Sequence, residues 1–354
     1  MKSMTRQLLD SHLWYSDRKD YNSNTCVKLI LKIDSTYWLF MEAKPVILPK
    51  HAYFGGKIVP YSKAKVGVLT HALNYGTAAF GGLRAYWNEE QKQLFIFRAN
   101  EHYRRFLNST KLLCMQLEHT PASLTQLTVD LLRVDGYQQN IYIRPLAYKS
   151  DEVIGVKLHG LNEELSICAL PFERYLDDDT NASVTISSWR RVDDNIIPAR
   201  GKISGAYANS AFIKTDAVRA GFDEALVLTQ EGHISEGSAM NFFMLRDGVL
   251  ITPPVTENIL EGITRRSVIE LARQELNLTI QERPVDRTEV YLCDELFLTG
   301  TAAQITAVTS VDHRAVGNAK MGPLTSSLYH LFQDIIHGRV PRYHHWLTPV
   351  YEKK

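Results

Sequence analysis

Lys202 lies in the run I-I-P-A-R-G-K-I-S-G-A-Y-A-N-S (196–210), with Gly201 before it and Gly205 after it. A lysine between glycines at the mouth of a helix can hold its amine against a partner that needs close backbone approach. With a depressed pKa it keeps a free amine able to form a Schiff base; otherwise it is a solvated lysine at a helix start. Glu236, in H-I-S-E-G-S-A-M-N-F-F, ends a strand-like run before a glycine. There a carboxylate either holds a proton on a heterocyclic nitrogen or faces water. Arg84 follows Gly81–Gly82 and heads an apolar run, so it either meets an anion or sits at a sheet edge. Arg144, in Y-I-R-P-L, faces solvent or a substrate carboxylate. Gly262-Ile263-Thr264 precedes a helical pattern, where unpaired N–H groups and the helix dipole suit a phosphate, or where the residues simply cap the helix. Thr299-Gly-Thr-Ala-Ala303 is a second small-residue turn with free N–H groups and hydroxyls.

An amine-bearing lysine, a proton-holding carboxylate, phosphate-binding turns and an arginine together make up what pyridoxal 5′-phosphate requires. Composition limits the rest. At 354 residues, 45% hydrophobic and 22% charged, the chain is long enough for two domains with real cores. A net charge of +1 leaves no electrostatic footprint for nucleic acid. No apolar run reaches the ~20 residues that span a bilayer. Cys26, Cys114, Cys168 and Cys293 lie far apart with no C-x-x-C pair. That argues against a zinc site or a disulfide framework, and fits a reducing cytoplasm.

The elements that must position these residues follow from periodicity. Residues 1–50 are polar and tyrosine-rich, with one β-like run at 27–33, and read as an extension; Met41 begins a stretch that looks like the start of a protein. A hairpin is expected around Gly55–Gly56, a helix over 71–80 ended by Gly81–Gly82, and a hairpin from 83–87 and 94–97. Asn100 is expected to cap a helix reaching 113, followed by a helix over 122–134 and strands at 140–148 and 165–170. The charged stretch 173–181 reads as a linker between a small domain (51–172) and a large one (182–354). The second half reads as a strand at 184–188, a helix over 205–219, and strands at 224–229 and 232–236. A hairpin across Asp247–Gly248, a helix over 264–276 and a strand at 295–299 complete it.

The sequence resembles the fold-type IV pyridoxal-phosphate enzymes, and within them the branched-chain amino acid aminotransferases. The likeness runs from about Ala52 to Trp346. It is carried in order by T-H-A-L-N-Y-G-T-A-A-F-G-G-L-R-A-Y (70–86), Y-I-R-P-L (142–146), S-S-W-R-R (187–191), P-A-R-G-K-I-S-G-A-Y-A-N-S (198–210), D-E-A-L-V-L (223–228), I-S-E-G-S-A-M-N-F-F (234–243), L-E-G-I-T-R (260–265) and T-G-T-A-A-Q-I-T (299–306). It implies an α+β fold of two domains like that of D-amino acid aminotransferase, each domain a mixed sheet packed with helices.

It also implies roles. Lys202 would be the Schiff-base lysine and proton carrier, Glu236 the partner of the pyridine nitrogen, and Tyr207 the partner of the ring oxygen. Arg84, Ile263, Thr264 and Thr301 would hold the phosphate. The N–H groups of Thr301 and Ala302 would meet the substrate α-carboxylate, Tyr142 would line the pocket, and Arg144 would receive the γ-carboxylate of glutamate. The implied substrates are branched-chain L-amino acids and 2-oxoglutarate with glutamate, in a homodimer or larger homo-oligomer. Relatives by fold include D-amino acid transaminases and 4-amino-4-deoxychorismate lyases; a non-catalytic cofactor-binding protein is the alternative from another class. Two positions depart from the pattern: Gly81 and Met240 stand where many or some relatives have Glu, which bears on substrate preference.

Overall fold

The computed structural model describes residues 47–172 and 178–352. The extension read over 1–50 and the linker core therefore lie almost wholly outside the described residues. Leu48–Lys354 clusters as one compact unit.

Its first part contains β1 (His51–Phe54), β2 (Lys57–Pro60), α1 (His71–Tyr75), β3 (Ala78–Phe80), β4 (Leu83–Asn88), β5 (Gln93–Phe97), α2 (Ala99–Leu112), α3 (Pro121–Asp135), β6 (Ile141–Lys149) and β7 (Glu163–Pro171). The second contains β8 (Ala182–Arg190), α4 (Tyr207–Arg219), β9 (Glu224–Leu228), β10 (Ile234–Gly237), β11 (Asn241–Arg246), β12 (Val249–Thr252), α5 (Ile263–Gln274), β13 (Ile280–Glu282), β14 (Glu295–Gly300), β15 (Gln304–Val311), β16 (Arg314–Ala315), α6 (Pro323–Ile336) and β17 (Leu347–Pro349).

Two sheets result. One runs β17-β5-β4-β6-β7-β1-β2, with β3 beside β6; the other runs β10-β9-β8-β15-β14-β11-β12-β13, with β16 beside β15. Only the second is mixed: β8 pairs in parallel with β9 and β15, and β12 with β13. The first is antiparallel at every described pairing. β7 lies in the first sheet and the next strand, β8, in the second. The chain then returns, since β17 adds to β5 through Leu347, Thr348 and Pro349. The expected large domain of 182–354 thus contributes its last strand to the first sheet.

Local differences from the sequence reading have plain causes. The helix expected over 71–80 stops at Tyr75, because Gly76 takes a left-handed conformation (φ 68°) and caps it. Ala78–Phe80 then pairs with Leu146–Tyr148 as a buried strand. Asn100 sits inside α2; the cap position belongs to Arg98 (φ 46°), whose N–H bonds the Trp346 carbonyl at 2.6 Å. α3 begins one residue earlier than expected, since Thr120 and Ser123 form a capping box. The Asp247–Gly248 hairpin takes positive φ at both turn residues (50° and 75°), as a type I′ turn requires.

Packing joins the layers. α2 and α3 bury Tyr103, Phe106, Leu124 and Leu132 on one face of the first sheet. Tyr86, Phe95 and Phe97 of that sheet share a core with Phe243 and Phe297 of the second, and with Leu328 and Phe332 of α6. Phe243 and Phe297 stack at 5.0 Å with 6° between their planes.

Candidate active site

Lys202 lies in the loop between β8 and α4, and three neighbours pin its backbone. Its N–H donates to Ser109 Oγ of α2 at 3.0 Å, and its carbonyl accepts from Phe80 N of β3 at 3.0 Å. Gly205 N donates to the Gly76 carbonyl at 3.1 Å, so close that a Cβ on Gly76 would lie 2.7 Å from Gly205 Cα. Gly76, rather than the glycine after the lysine, thus serves the close approach of these two segments.

The lysine Nζ donates to Tyr207 Oη at 2.5 Å, and lies 4.9 Å from the Phe80 ring centre. Lys202 is half-buried. Desolvation, with the nearby Arg105, Arg144 and Arg191 charges, holds its amine well below the ordinary lysine range; Glu236 pulls the other way. Burial and the Glu236 charge raise the Tyr207 phenol above its usual value, so it stays protonated as a donor or acceptor.

Glu236 is 3% exposed. A register shift between Ile234 and Glu236 on β10 places a bulge beside it, a device that re-aims a side chain. Arg191 Nη2 contacts one carboxylate oxygen at 2.7 Å; Asn241 Nδ2 (2.9 Å) and Leu260 N (3.2 Å) donate to the other. Burial pushes the carboxyl above the usual range, with Arg191 opposing it. Glu236 is therefore a buried, oriented carboxylate, and the solvated alternative is excluded.

α5 starts at Ile263 after Gly262, and no described side chain caps it. Its first-turn amides stay available to an anion, and Thr264 is buried at that terminus (3% exposed). The strap ahead of it is fixed by side chains. Arg191 Nε donates to Asn258 O at 3.2 Å, Asn241 Nδ2 to Leu260 O at 2.9 Å, and Arg105 Nη1 to Glu261 O at 3.1 Å.

Arg105 was absent from the sequence reading. It reaches this strap from α2 and acts electrostatically on Lys202, Tyr207, Tyr142 and Glu236; burial lowers its own pKa. Helical spacing held the signal, since 105 shares a face with buried His102 (i−3) and Ser109 (i+4). Arg84 donates to the carbonyls of Phe172 (2.8 Å) and Ala302 (3.4 Å).

Arg144, bonded to Tyr142, lies beside the Phe80 ring that also neighbours Lys202. Arg144 is exposed, lies 4.6 Å from the Phe80 ring centre and 5.1 Å from that of Tyr142, and donates to Tyr142 Oη at 3.0 Å. Thr301 and Ala302 are half-buried in the turn from β14 to β15. Phe80 was likewise missed; its ring centre lies 4.9 Å from the Lys202 amine and 4.6 Å from the Arg144 guanidinium, and it meets Tyr207 edge-on at 4.6 Å. Of the two departures, Gly81 abuts Pro145, where an added Cβ would lie 2.5 Å from Pro145 Cγ. Met240 is buried, beside Gly237 and Gly300.

Fold and site together bring a desolvated lysine amine beside a phenol, with a buried carboxylate and an uncapped helix N-terminus in the same half of the chain. Residues 79–311 match the family model for amino-transferase class IV. The chain is 46% identical over 302 residues to a probable branched-chain-amino-acid aminotransferase of Aquifex aeolicus (strain VF5), covering 85% of this chain and 97% of that one. Among solved structures, the branched-chain aminotransferase of Thermoproteus uzoniensis with norvaline superposes with a TM-score of 0.82 at 39% identity, covering 86% of this chain and all of that one. The enzyme from Thermobaculum terrenum in its PLP-form gives 0.82 at 38% identity, covering 86% and 99%. The chain belongs to the class IV aminotransferase family.

Proposed function

We propose that the protein is a pyridoxal 5′-phosphate-dependent transaminase. It exchanges the amino group of L-leucine, L-isoleucine or L-valine with 2-oxoglutarate, giving the branched 2-oxo acid and glutamate, in a ping-pong sequence. The observation that carries this is the Lys202 amine 2.5 Å from Tyr207 Oη, together with the Glu236 carboxylate held by Arg191 and Asn241. The residues fit the cofactor: an amine to bind it, a carboxylate for a ring nitrogen, and uncapped helix amides for a phosphate.

When bound, the pyridinium ring takes up the electron pair released as the substrate Cα–H bond breaks. The rest falls to the chain. Lys202 carries the proton from Cα, a role that burial favours by lowering its pKa from the ordinary lysine range. Glu236 holds the proton on the ring nitrogen and Tyr207 bonds the ring oxygen. The amides of Ile263 and Thr264, with Thr264 and Thr301 hydroxyls, hold the phosphate; Arg105, which meets the strap at Glu261, supplies positive charge.

Thr301 and Ala302 N–H groups receive the α-carboxylate, and Tyr142 lines the side-chain pocket. Arg144 receives the γ-carboxylate of glutamate. Because it lies exposed on aromatic faces, it swings aside for an apolar substrate without leaving a buried unpaired charge.

We place the enzyme in the cytoplasm as a homodimer or larger homo-oligomer, with a small domain of 51–172 and a large domain of 182–354 that lends β17 to the first sheet. Free thiols at Cys114, Cys168 and Cys293 support the location. No helix among the described residues is long and apolar enough to cross a membrane. The test is a coupled assay of the pyridoxal phosphate-loaded protein with 2-oxoglutarate, following glutamate. Release with L-leucine, L-isoleucine and L-valine supports the reading; release with D-alanine alone overturns it in favour of the D-specific reaction.

A further inference from the structure

Arg84 is 1% exposed, and its guanidinium lies between two aromatic rings, 5.0 Å from the Tyr86 centre and 5.2 Å from that of Phe172. One arm donates to the Phe172 carbonyl at 2.8 Å, just after β7; the other reaches the Ala302 carbonyl at 3.4 Å, in the turn from β14 to β15. Two residues along β4, the Tyr86 hydroxyl accepts from Gln304 Nε2 at 3.3 Å. Gln304 closes that turn in a left-handed conformation (φ 57°), and its side-chain oxygen accepts from Gln333 of α6. A non-glycine residue held there needs surrounding contacts to keep it.

We propose that Arg84 and Tyr86 form a clamp from the first sheet that positions the Thr301–Ala302 turn, and so sets recognition of the substrate α-carboxylate. The inference rests on the transaminase reading. With the Ala302 carbonyl and the Gln304 side chain both held, rotation about Ala302 is restricted. Its N–H then keeps one direction before substrate arrives, and affinity improves because less order is lost on binding. Arg84 is a positioning residue in this account, acting through backbone carbonyls.

The test uses the loaded enzyme and 4-methylvalerate, a branched monocarboxylate without an amino group, with binding followed by absorbance. Arg84→Met should raise the Kd for this probe about 10-fold, as loss of a hydrogen bond from a charged donor predicts. Tyr86→Phe should raise it about 3-fold, and Arg84→Lys should restore part of the loss. KM should rise alike for leucine and glutamate, since both carry the α-carboxylate, while equilibrium affinity for pyridoxal phosphate stays within about 2-fold. Unchanged probe affinity in all three variants would overturn the proposal, as would an equal fall in cofactor affinity. If Arg84→Met does not fold, Tyr86→Phe and Gln304→Ala carry the same test. A wild-type enzyme that neither binds 4-methylvalerate nor transaminates leucine overturns the functional reading itself, a result distinct from silent variants.

Discussion

At the residue scale, the chemistry turns on an amine whose charge the fold disfavours. Lys202→Ala should lower turnover by about 10³-fold or more, because proton transfer at Cα loses its carrier; a single-turnover assay with leucine measures this, and ordinary activity would remove Lys202 from the mechanism. The same burial has a stability consequence in the cofactor-free protein. The folded-state pKa of Lys202 lies below its ordinary 10.5, so below that pH the unfolded chain binds more protons than the folded one. The contribution of Lys202 to stability therefore worsens as pH falls from about 10.5 toward the folded pKa, and is constant below it. Lys202→Met in the cofactor-free protein should raise Tm at pH 7, with the gain shrinking toward pH 10.5; scanning calorimetry at the two pH values checks the sign. Arg144 gives a specificity prediction. Arg144→Ala should raise KM for glutamate about 10-fold while leaving leucine within about 2-fold, since only glutamate presents a second carboxylate. Equal losses for both substrates would deny it that role.

At the element scale, the strap at 258–262 connects the carboxylate of Glu236 to the α5 terminus. Gly262 has an ordinary φ of −67°, so its need is for space: an added Cβ would collide with Asn241 Oδ1. Asn241 is the residue whose amide bonds both Glu236 and the Leu260 carbonyl. Gly262→Ala should thus disturb carboxylate and helix terminus together, weakening pyridoxal phosphate affinity about 10-fold or more; equilibrium dialysis measures it, and unchanged affinity would show the strap to be adjustable. Much of this arrangement was legible in the sequence. Lys202, Glu236 and Ile263–Thr264 announce themselves through glycines and strand or helix ends, which are local signals. Arg105 and Phe80 did not, because their roles arise only when α2 and β3 fold against the Lys202 loop. Arg84 is legible only in part: an arginine heading an apolar strand demands an acceptor, and the carbonyls of Phe172 and Ala302 are acceptors that only folding brings to it. The strand Ala78–Phe80 was read as helix since its alternation is too short to compete with the preceding helical pattern, and only the left-handed Gly76 divides them.

At the scale of the whole molecule, one exposed surface is rich in large aliphatic side chains and supports the proposed assembly. Val66, Val68, Leu69 and Leu73 lie on one side of the bridge between Thr70 and Glu152, and Val153, Ile154 and Val156 follow on the other. Val68, Ile154 and Val156 are 80%, 77% and 76% exposed, and Gly155 N ties the two segments by donating to Tyr75 Oη at 3.1 Å. Soluble monomers rarely leave so many large aliphatic side chains together in water, and each contributes about 1.5–3 kcal/mol when covered. A second copy of the chain is the partner an enzyme of this family would present, and a twofold arrangement would let the patch cover itself. The patch continues into α1, whose capping Gly76 touches Gly205 in the Lys202 loop, so covering it would also steady the catalytic lysine. Val68→Asp combined with Ile154→Asp should then halve the sedimenting mass, or reduce it further in a larger assembly. It should lower kcat along with it, because the loop supporting Lys202 loses its outer packing. A wild-type chain that sediments as a monomer would refute the assembly, and a dissociated variant with full kcat would show that each subunit completes its site alone.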